Sequence, residues 1–190
     1  AAPFPPDRIK ALEQVIGQGK LIEVWGMTET SPMLTVNPAE NIKKIGSVGL
    51  PLPNTEFKIV DINYGETEVP LGEEGELIAS GPQVMKGYLN RAEETKNTLR
   101  EHDNRIWMYT GDVGRMDEDG FIYVVDRTKD MIVVGGFKVF SSEVEDKFYN
   151  HPAVGLCALI GLPNLERPDS EIVKLFVQKS EEWKDKPDEE

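Results

Sequence analysis

Short apolar runs separated by glycine-containing turns fill residues 46–89 and constrain the fold most strongly. One run spans residues 57–60, and another lies at 75–81 between two glycines. Runs of this length bounded by turn residues are typical of β-strands and are short for helices. Two further runs lie on either side of a turn at 117–120. This part of the chain is therefore predicted to be rich in β-structure.

Three short helices are also predicted. The first spans 7–16 with apolar residues on one face, and Gly17 stands where a C-terminal cap belongs. Asn90 is expected to cap the second helix. Ser142 and Glu145 have the spacing of a capping box, which predicts the start of the third.

A polar turn, Asp126-Arg127-Thr128-Lys129, separates two apolar patterns. Beyond it, a predicted helix and apolar runs at 156–162 and 172–177 indicate a small α+β unit. Because strong patterns end and restart at this turn, it is the best candidate for a domain boundary. We expect one domain over 1–128 and a second over 129–190.

The charge of the chain argues against several classes of partner. Its 190 residues carry a net charge of −13 with a pI near 4.7. Binding to nucleic acids or anionic lipids depends on clustered Lys and Arg, so neither partner is expected. No segment has the length of a transmembrane helix, and the start of the chain does not resemble a signal peptide. The expected location is the cytoplasm; the oligomeric state stays open.

The cysteine and histidine content excludes other kinds of site. Cys157 is the only cysteine, so no internal disulfide can form, and its apolar surroundings predict a small buried side chain. His102 and His151 are the only histidines. They are too few for a His/Cys zinc site, and a His-dependent nucleophilic triad is not expected.

The turn Trp25-Gly26-Met27-Thr28-Glu29 follows an apolar run at 21–25 that predicts a strand. Gly26 lets the backbone approach a ligand closely, while Thr28 offers a hydroxyl and Glu29 a carboxylate. Proteins usually hold Mg²⁺ through one or two carboxylates together with substrate phosphates. The turn is therefore a candidate phosphate and Mg²⁺ site, although an ordinary turn or helix cap has the same composition.

Five separated segments, taken in order and spacing, resemble the adenylate-forming superfamily of acyl-CoA synthetases, adenylation domains and beetle luciferases. The fatty-acyl-CoA ligase branch is the most similar. The resemblance implies a mixed α/β fold: the β-rich C-terminal part of the large N-domain, followed by an incomplete small α+β C-terminal domain. The segments are Ala1-Ala2-Pro3, Trp25-Gly26-Met27-Thr28-Glu29, Gly75-Glu76-Leu77 with Gly81 and Gly87-Tyr88-Leu89, Tyr109-Thr110-Gly111-Asp112, and 126–143.

The resemblance implies a two-step reaction that uses ATP, Mg²⁺ and coenzyme A. A carboxylic acid attacks the α-phosphate of ATP to give acyl-AMP and pyrophosphate, and coenzyme A then displaces AMP. The acid would be a fatty acid or a related one of unknown chain length. A ligase that delivers acyl groups to a carrier protein, and a non-catalytic nucleotide-binding module, are the alternatives.

The same resemblance assigns roles at the nucleotide. Ala1-Ala2-Pro3 would line the adenine, and Trp25 would stack on it within the nucleotide-binding turn Trp25-Gly26-Met27-Thr28-Glu29. Thr28 would contact the α-phosphate. Glu29 would hold the Mg²⁺ that neutralises charge on the phosphoryl oxygens.

Five residues further along the chain also receive roles from the resemblance. Asp112 would accept hydrogen bonds from the ribose hydroxyls, and Arg127 would donate to the ribose or phosphate. Without the family, Asp112 would be a turn-capping residue and Arg127 a surface ion-pair partner. Lys129 would be the hinge of the C-terminal domain. Gly136, with Gly135, would line the pantetheine path or simply form a hairpin turn.

Two family features are not found in these 190 residues. The phosphate-binding loop that grips the β- and γ-phosphates would lie upstream of Ala1, and the C-terminal catalytic lysine would lie in a Gly-Lys motif beyond Lys129. Because the chain starts in mid-pattern, we expect a fragment of a longer ligase that has no useful activity by itself.

Overall fold

The computed structural model describes residues 6–40, 42–63, 65 and 67–186, with side chains from residue 8 onwards. Ala1-Ala2-Pro3, predicted to line the adenine, lies outside the described residues. The helices are α1 (Pro6–Ile16), α2 (Ala92–Thr98) and α3 (Ser141–Tyr149). The strands are β1 (Val24–Trp25), β2 (Thr35–Val36), β3 (Leu50–Pro51), β4 (Glu56–Val60), β5 (Gly75–Ser80), β6 (Leu99–His102), β7 (Arg105–Met116), β8 (Ile122–Arg127), β9 (Ile132–Val134), β10 (Phe137–Val139), β11 (Val154–Pro163) and β12 (Glu171–Lys179).

The chain divides into two compact units, of which the first ends at Val124 and the second begins at Val125. The division falls within β8, close to the polar turn that predicted a boundary. The domains predicted over 1–128 and 129–190 stay a prediction.

Two antiparallel sheets form the first unit. β1, β2 and β3 make one sheet, and β4, β5, β7 and β6 follow one another in the second, with β8 also paired to β7. Leu77 and Ala79 of β5 are fully buried in one hydrophobic cluster, and Ile78 is fully buried in another. Successive side chains of a strand point to opposite faces, so β5 joins the two clusters. The predicted β-rich character of this region is confirmed.

The predicted helix ends agree only in part with the ends observed in the structure. Gly17 ends α1 as predicted, with φ 105° and its N–H bonded to the Glu13 oxygen at 2.8 Å. The cap predicted at Asn90 is wrong, because Arg91 holds the N-cap position. Asn90 instead takes a left-handed conformation with φ 58°.

The capping box predicted for α3 is also wrong. Glu145 accepts a hydrogen bond from the Leu159 N–H at 2.7 Å, and the Ser142 hydroxyl donates to the Val125 oxygen. Asp126 supplies the missing acceptor: its Oδ2 accepts from the Ser142 N–H at 3.2 Å. The Asp126 carboxylate, distant in sequence, thus replaces the predicted local capping box. A negative charge at this position stabilises the N-terminus of α3.

Strand β1 is shorter than predicted. It covers only Val24–Trp25 because its partner β2 has two residues, and the 21–23 stretch forms no ladder. Cys157, predicted to be buried, is half-buried in β11. In the described parts of the chain, no helix is both long and apolar enough to cross a membrane.

The described part of the second unit contains two hairpins, α3 and a 3₁₀ helix at Glu181–Trp183. β9 pairs with β10, β11 pairs with β12, and α3 packs on β11. Gly135 and Gly136 form the β9–β10 turn with φ values of 57° and 86°. Such values favour glycine and are those of a tight hairpin turn, so backbone conformation accounts for both glycines without a ligand.

Candidate functional site

Thr28, Glu29 and Thr30 form a single 3₁₀ turn directly after β1. Thr30 is fully buried; its hydroxyl oxygen accepts from the Met27 N–H at 3.0 Å and donates to the Met27 carbonyl at 2.9 Å. These bonds hold the turn so that Thr28 is exposed and Glu29 is half-buried. Sequence analysis assigned no role to Thr30, although its hydroxyl follows the motif directly.

Gly26 is required by the chain itself. A Cβ at this position would collide with the Pro32 carbonyl oxygen and would lie 2.7 Å from the Met33 Cα. The predicted close approach of backbone therefore exists, but the approaching group is the segment after the turn. A larger residue would force that segment away.

Asp112 lies in a β-bulge. Ile78 pairs with Tyr109 and Glu76 with Val113, so three residues of β7 stand opposite Leu77 alone. Gly111 has a φ of 70°, and the Thr110 hydroxyl donates to the Leu77 oxygen at 2.7 Å. Bulges redirect side chains and are frequent beside active sites. The turn-capping alternative for Asp112 is therefore wrong.

The bulge brings Asp112 to the turn that carries Glu29. The Trp25 Nε1–H donates to the Asp112 Oδ2 at 3.0 Å, across 87 residues of sequence. Trp25 is 2% exposed and Asp112 1% exposed. The structure thus joins two of the residues that were predicted, separately, to contact one nucleotide.

The burial of Trp25 requires a revision of its predicted role. Its ring packs in the core cluster with Leu34, Leu77 and Ile122, and its centroid lies 6.0 Å from that of Phe57. A ring that is 2% exposed has no free face for adenine, so stacking is not supported in this conformation. What the structure supports is a core residue that orients the Asp112 carboxylate.

A second carboxylate lies beside the bulge. Glu76 Oε1 accepts a hydrogen bond from the Gly111 N–H at 3.1 Å. Burial raises the pKa of Glu76 above its ordinary value, and the nearby Asp112 adds to this, while the Gly111 N–H and Arg100 oppose it. The folded protein therefore binds the Glu76 proton more tightly than the unfolded chain does.

We expect Glu76→Gln to stabilise the protein at neutral pH. A raised pKa means that ionised Glu76 disfavours folding, so wild-type stability falls as pH rises through that pKa, whereas the amide does not ionise. Urea unfolding from about pH 4 to about pH 7 should show the gain growing with pH. The exposed Glu73→Gln is the control; equal pH trends in both variants would contradict the prediction.

In the described part of the chain, no three His, Cys, Asp or Glu side chains are grouped so that they could hold a metal ion by themselves. A site built from one carboxylate and substrate phosphates needs no such group. Glu29 Oε1 accepts a hydrogen bond, but Oε2 has none from the described residues. Its donor set therefore fits a nucleotide-bound Mg²⁺.

The predicted hinge region lies in the second unit. Lys129 is exposed and Arg127 is half-buried at the end of β8. Asp126, just before Lys129, bonds Ser141 and Ser142, which lie after it. A rotation at Lys129 alone would break these hydrogen bonds. The hinge role of Lys129 and the ligand roles of Arg127 and Gly136 stay predictions.

Known proteins of similar sequence include nucleotide-binding enzymes. Residues 1–89 match the family described as AMP-binding enzyme. A long-chain-fatty-acid–CoA ligase of Bacillus subtilis (strain 168) is 42% identical over 177 residues, 93% of this chain and 30% of the relative. A ligase of the same description from Escherichia coli O6:H1 is 44% identical over 161 residues, covering 85% of this chain and 27% of its own length.

The solved structures extend the likeness to the fold. ATP-bound MatB from Rhodopseudomonas palustris superposes with a TM-score of 0.82 at 34% identity, over 95% of this chain and 34% of that one. The chain resembles adenylate-forming enzymes in both sequence and fold. The predicted mixed α/β fold is confirmed. The chain spans less than a third of the two ligases, so it corresponds to part of their length.

Proposed function

We propose that the whole protein is an AMP-forming acid–thiol ligase acting on fatty acids. The acid's carboxylate oxygen attacks the α-phosphorus of ATP, the bond to pyrophosphate breaks, and acyl-AMP forms. The thiol of coenzyme A then attacks the acyl carbon, and AMP leaves as the thioester forms. Both steps balance without any oxidant or reductant.

One observation carries the proposal. The Trp25–Asp112 hydrogen bond joins the Thr28–Glu29 turn to the bulge of β7 within one unit. The proposed ribose-binding carboxylate, phosphate-binding hydroxyl and cation-binding carboxylate are carried by two segments of this unit that the hydrogen bond connects. These are the groups that a nucleotide requires.

Each residue of the site would contact a different part of ATP. The exposed Thr28 hydroxyl donates to an α-phosphate oxygen and so holds the phosphorus for attack. Asp112, as a carboxylate, accepts from the ribose hydroxyls. Access to the ribose requires Asp112 to become exposed from its present 1%, which a movement of the Trp25 indole would allow.

Glu29 would hold the cation that accompanies ATP. When bound, Mg²⁺ neutralises the negative charge that accumulates on the phosphate oxygens during transfer. The half-buried Glu29 presents one carboxylate oxygen to it, which matches the sparse protein coordination that Mg²⁺ accepts.

The second step would use residues of the second unit. The exposed Lys129 is proposed as a hinge, and Gly136, at the tip of the β9–β10 turn, as a surface for the pantetheine arm. A Cβ on Gly136 would meet no atom within 4 Å, so this surface is open. Arg127 is proposed to donate to ribose or phosphate.

The test is an assay of the whole protein for fatty-acid-dependent exchange of pyrophosphate into ATP, followed by thioester formation with coenzyme A. Saturated fatty acids of increasing length should support both reactions. Exchange without thioester formation would favour a carrier protein as the acceptor. AMP binding with no acid-dependent exchange would overturn the proposal in favour of a non-catalytic nucleotide-binding module.

A further inference from the structure

The loop between β5 and α2 contacts the proposed metal ligand. Gly81 starts this loop, and Tyr88 lies near its end. The Met85 N–H donates to the Glu29 main-chain oxygen at 2.8 Å, and the Tyr88 hydroxyl donates to Glu29 Oε1 at 2.7 Å. Glu29 is therefore held at its backbone and at its carboxylate by one loop, 59 residues away in the case of Tyr88.

The backbone of Tyr88 is itself fixed to α2. Its N–H donates to the Thr95 Oγ1 at 2.9 Å, and that hydroxyl donates to the Arg91 oxygen at 2.7 Å. Gly87 allows this approach, since a Cβ there would lie 2.8 Å from the Thr95 Cγ2 and its φ is 147°. The phenol thus extends from an anchored point of the chain.

We propose that Tyr88 is a positioning residue for the metal-binding carboxylate of Glu29, an inference that rests on the proposed function. The Tyr88 hydroxyl occupies Oε1 and would leave Oε2 available to the cation, so the carboxylate is oriented before Mg²⁺·ATP arrives. Pre-orientation lowers the entropy that binding must remove. Sequence reasoning assigned structural roles to the glycines of this loop and none to Tyr88.

Mg²⁺·ATP binding, measured by calorimetry without any acid, tests the inference in the whole protein. Tyr88→Phe removes only the hydroxyl, and we expect the dissociation constant of Mg²⁺·ATP to rise about 3–10-fold. The dissociation constant of ATP in EDTA should not change. A residue with a merely structural role would alter both constants together or neither.

Tyr123→Phe is the matched control. The Tyr123 hydroxyl also donates to a carboxylate, Asp117 Oδ2 at 3.2 Å, but that pair is not part of the site. It should leave both dissociation constants unchanged. The melting temperature of each variant verifies folding. Gly87→Ala supplies a second variant that keeps the phenol but displaces the Tyr88 main chain from Thr95. Gly87→Ala should also raise the dissociation constant of Mg²⁺·ATP, as Tyr88→Phe does.

Glu29→Gln separates the two proposals. If Glu29→Gln weakens Mg²⁺·ATP and Tyr88→Phe does not, the positioning role is overturned and the metal role of Glu29 stands. If Glu29→Gln has no effect, the metal role fails and the positioning role with it. Tighter Mg²⁺·ATP binding in Tyr88→Phe would mean that the phenol competes with the cation, which also overturns the inference.

Discussion

Replacement of Glu29 by Gln is expected to lower acid-dependent pyrophosphate exchange by about 10²–10³-fold, the range found when one transition-state electrostatic contact is removed. The amide is neutral, so it binds a divalent cation far more weakly than the carboxylate does. Its oxygen can still accept the Tyr88 hydroxyl, and the main-chain bond from Met85 is unaffected. The loss should therefore come from chemistry and not from unfolding.

Initial rates at several Mg²⁺ concentrations check this expectation. The variant should need more Mg²⁺ for its half-maximal rate, because the remaining ligands come from phosphate and water. Glu118→Gln, in the exposed turn between β7 and β8, makes the same change of charge away from the site and should behave as wild type. Equal rates in wild type and Glu29→Gln would remove Glu29 from the mechanism.

Sequence patterns correctly predicted the structural elements that depend on residues close together in the chain. The apolar run of β5 and the glycine after α1 depend on neighbouring residues, and both agree with the structure. The turn at Thr28 and Glu29 was also visible, because a hydroxyl and a carboxylate follow a glycine directly. The family resemblance, carried by several such segments together, extended these local predictions to the fold.

Features set by distant contacts were not predictable in the same way. The bulge at Asp112 depends on how β7 aligns with β5, and a sequence pattern does not state that register. The start of α3 is capped by Asp126 in place of the local Ser142 and Glu145 pair. Tyr88 received no role of its own because its partner lies 59 residues away.

Trp25 was recognised from a local motif, but its hydrogen-bond partner is distant in sequence. Its substitution should have the second large effect that we expect. Trp25→Phe removes the N–H that donates to Asp112 and leaves space in the core cluster. Losing a donor to a buried carboxylate and part of a core ring should lower the free energy of unfolding by about 2–4 kcal/mol. Urea unfolding followed by circular dichroism measures this without using tryptophan fluorescence.

Trp107→Phe isolates the contribution of the hydrogen bond. Trp107 is equally buried at 2% exposure, yet its Nε1 has no hydrogen-bond partner among the described residues. Trp107→Phe removes the same atoms as Trp25→Phe. Its loss in the free energy of unfolding should be smaller by about 1–3 kcal/mol. Similar losses in both variants would show that the Trp25–Asp112 bond contributes little.

A double-mutant cycle with Asp112→Asn then decides between a core role and a ligand role for Trp25. If the indole holds the carboxylate, Trp25→Phe should cost less in the Asp112→Asn background, because the charge that needs the donor is gone. A residue that only stacks on adenine would change nucleotide affinity and show no coupling in stability. Coupling together with weaker AMP binding would mean that the indole orients Asp112 in the free protein and also serves the bound nucleotide.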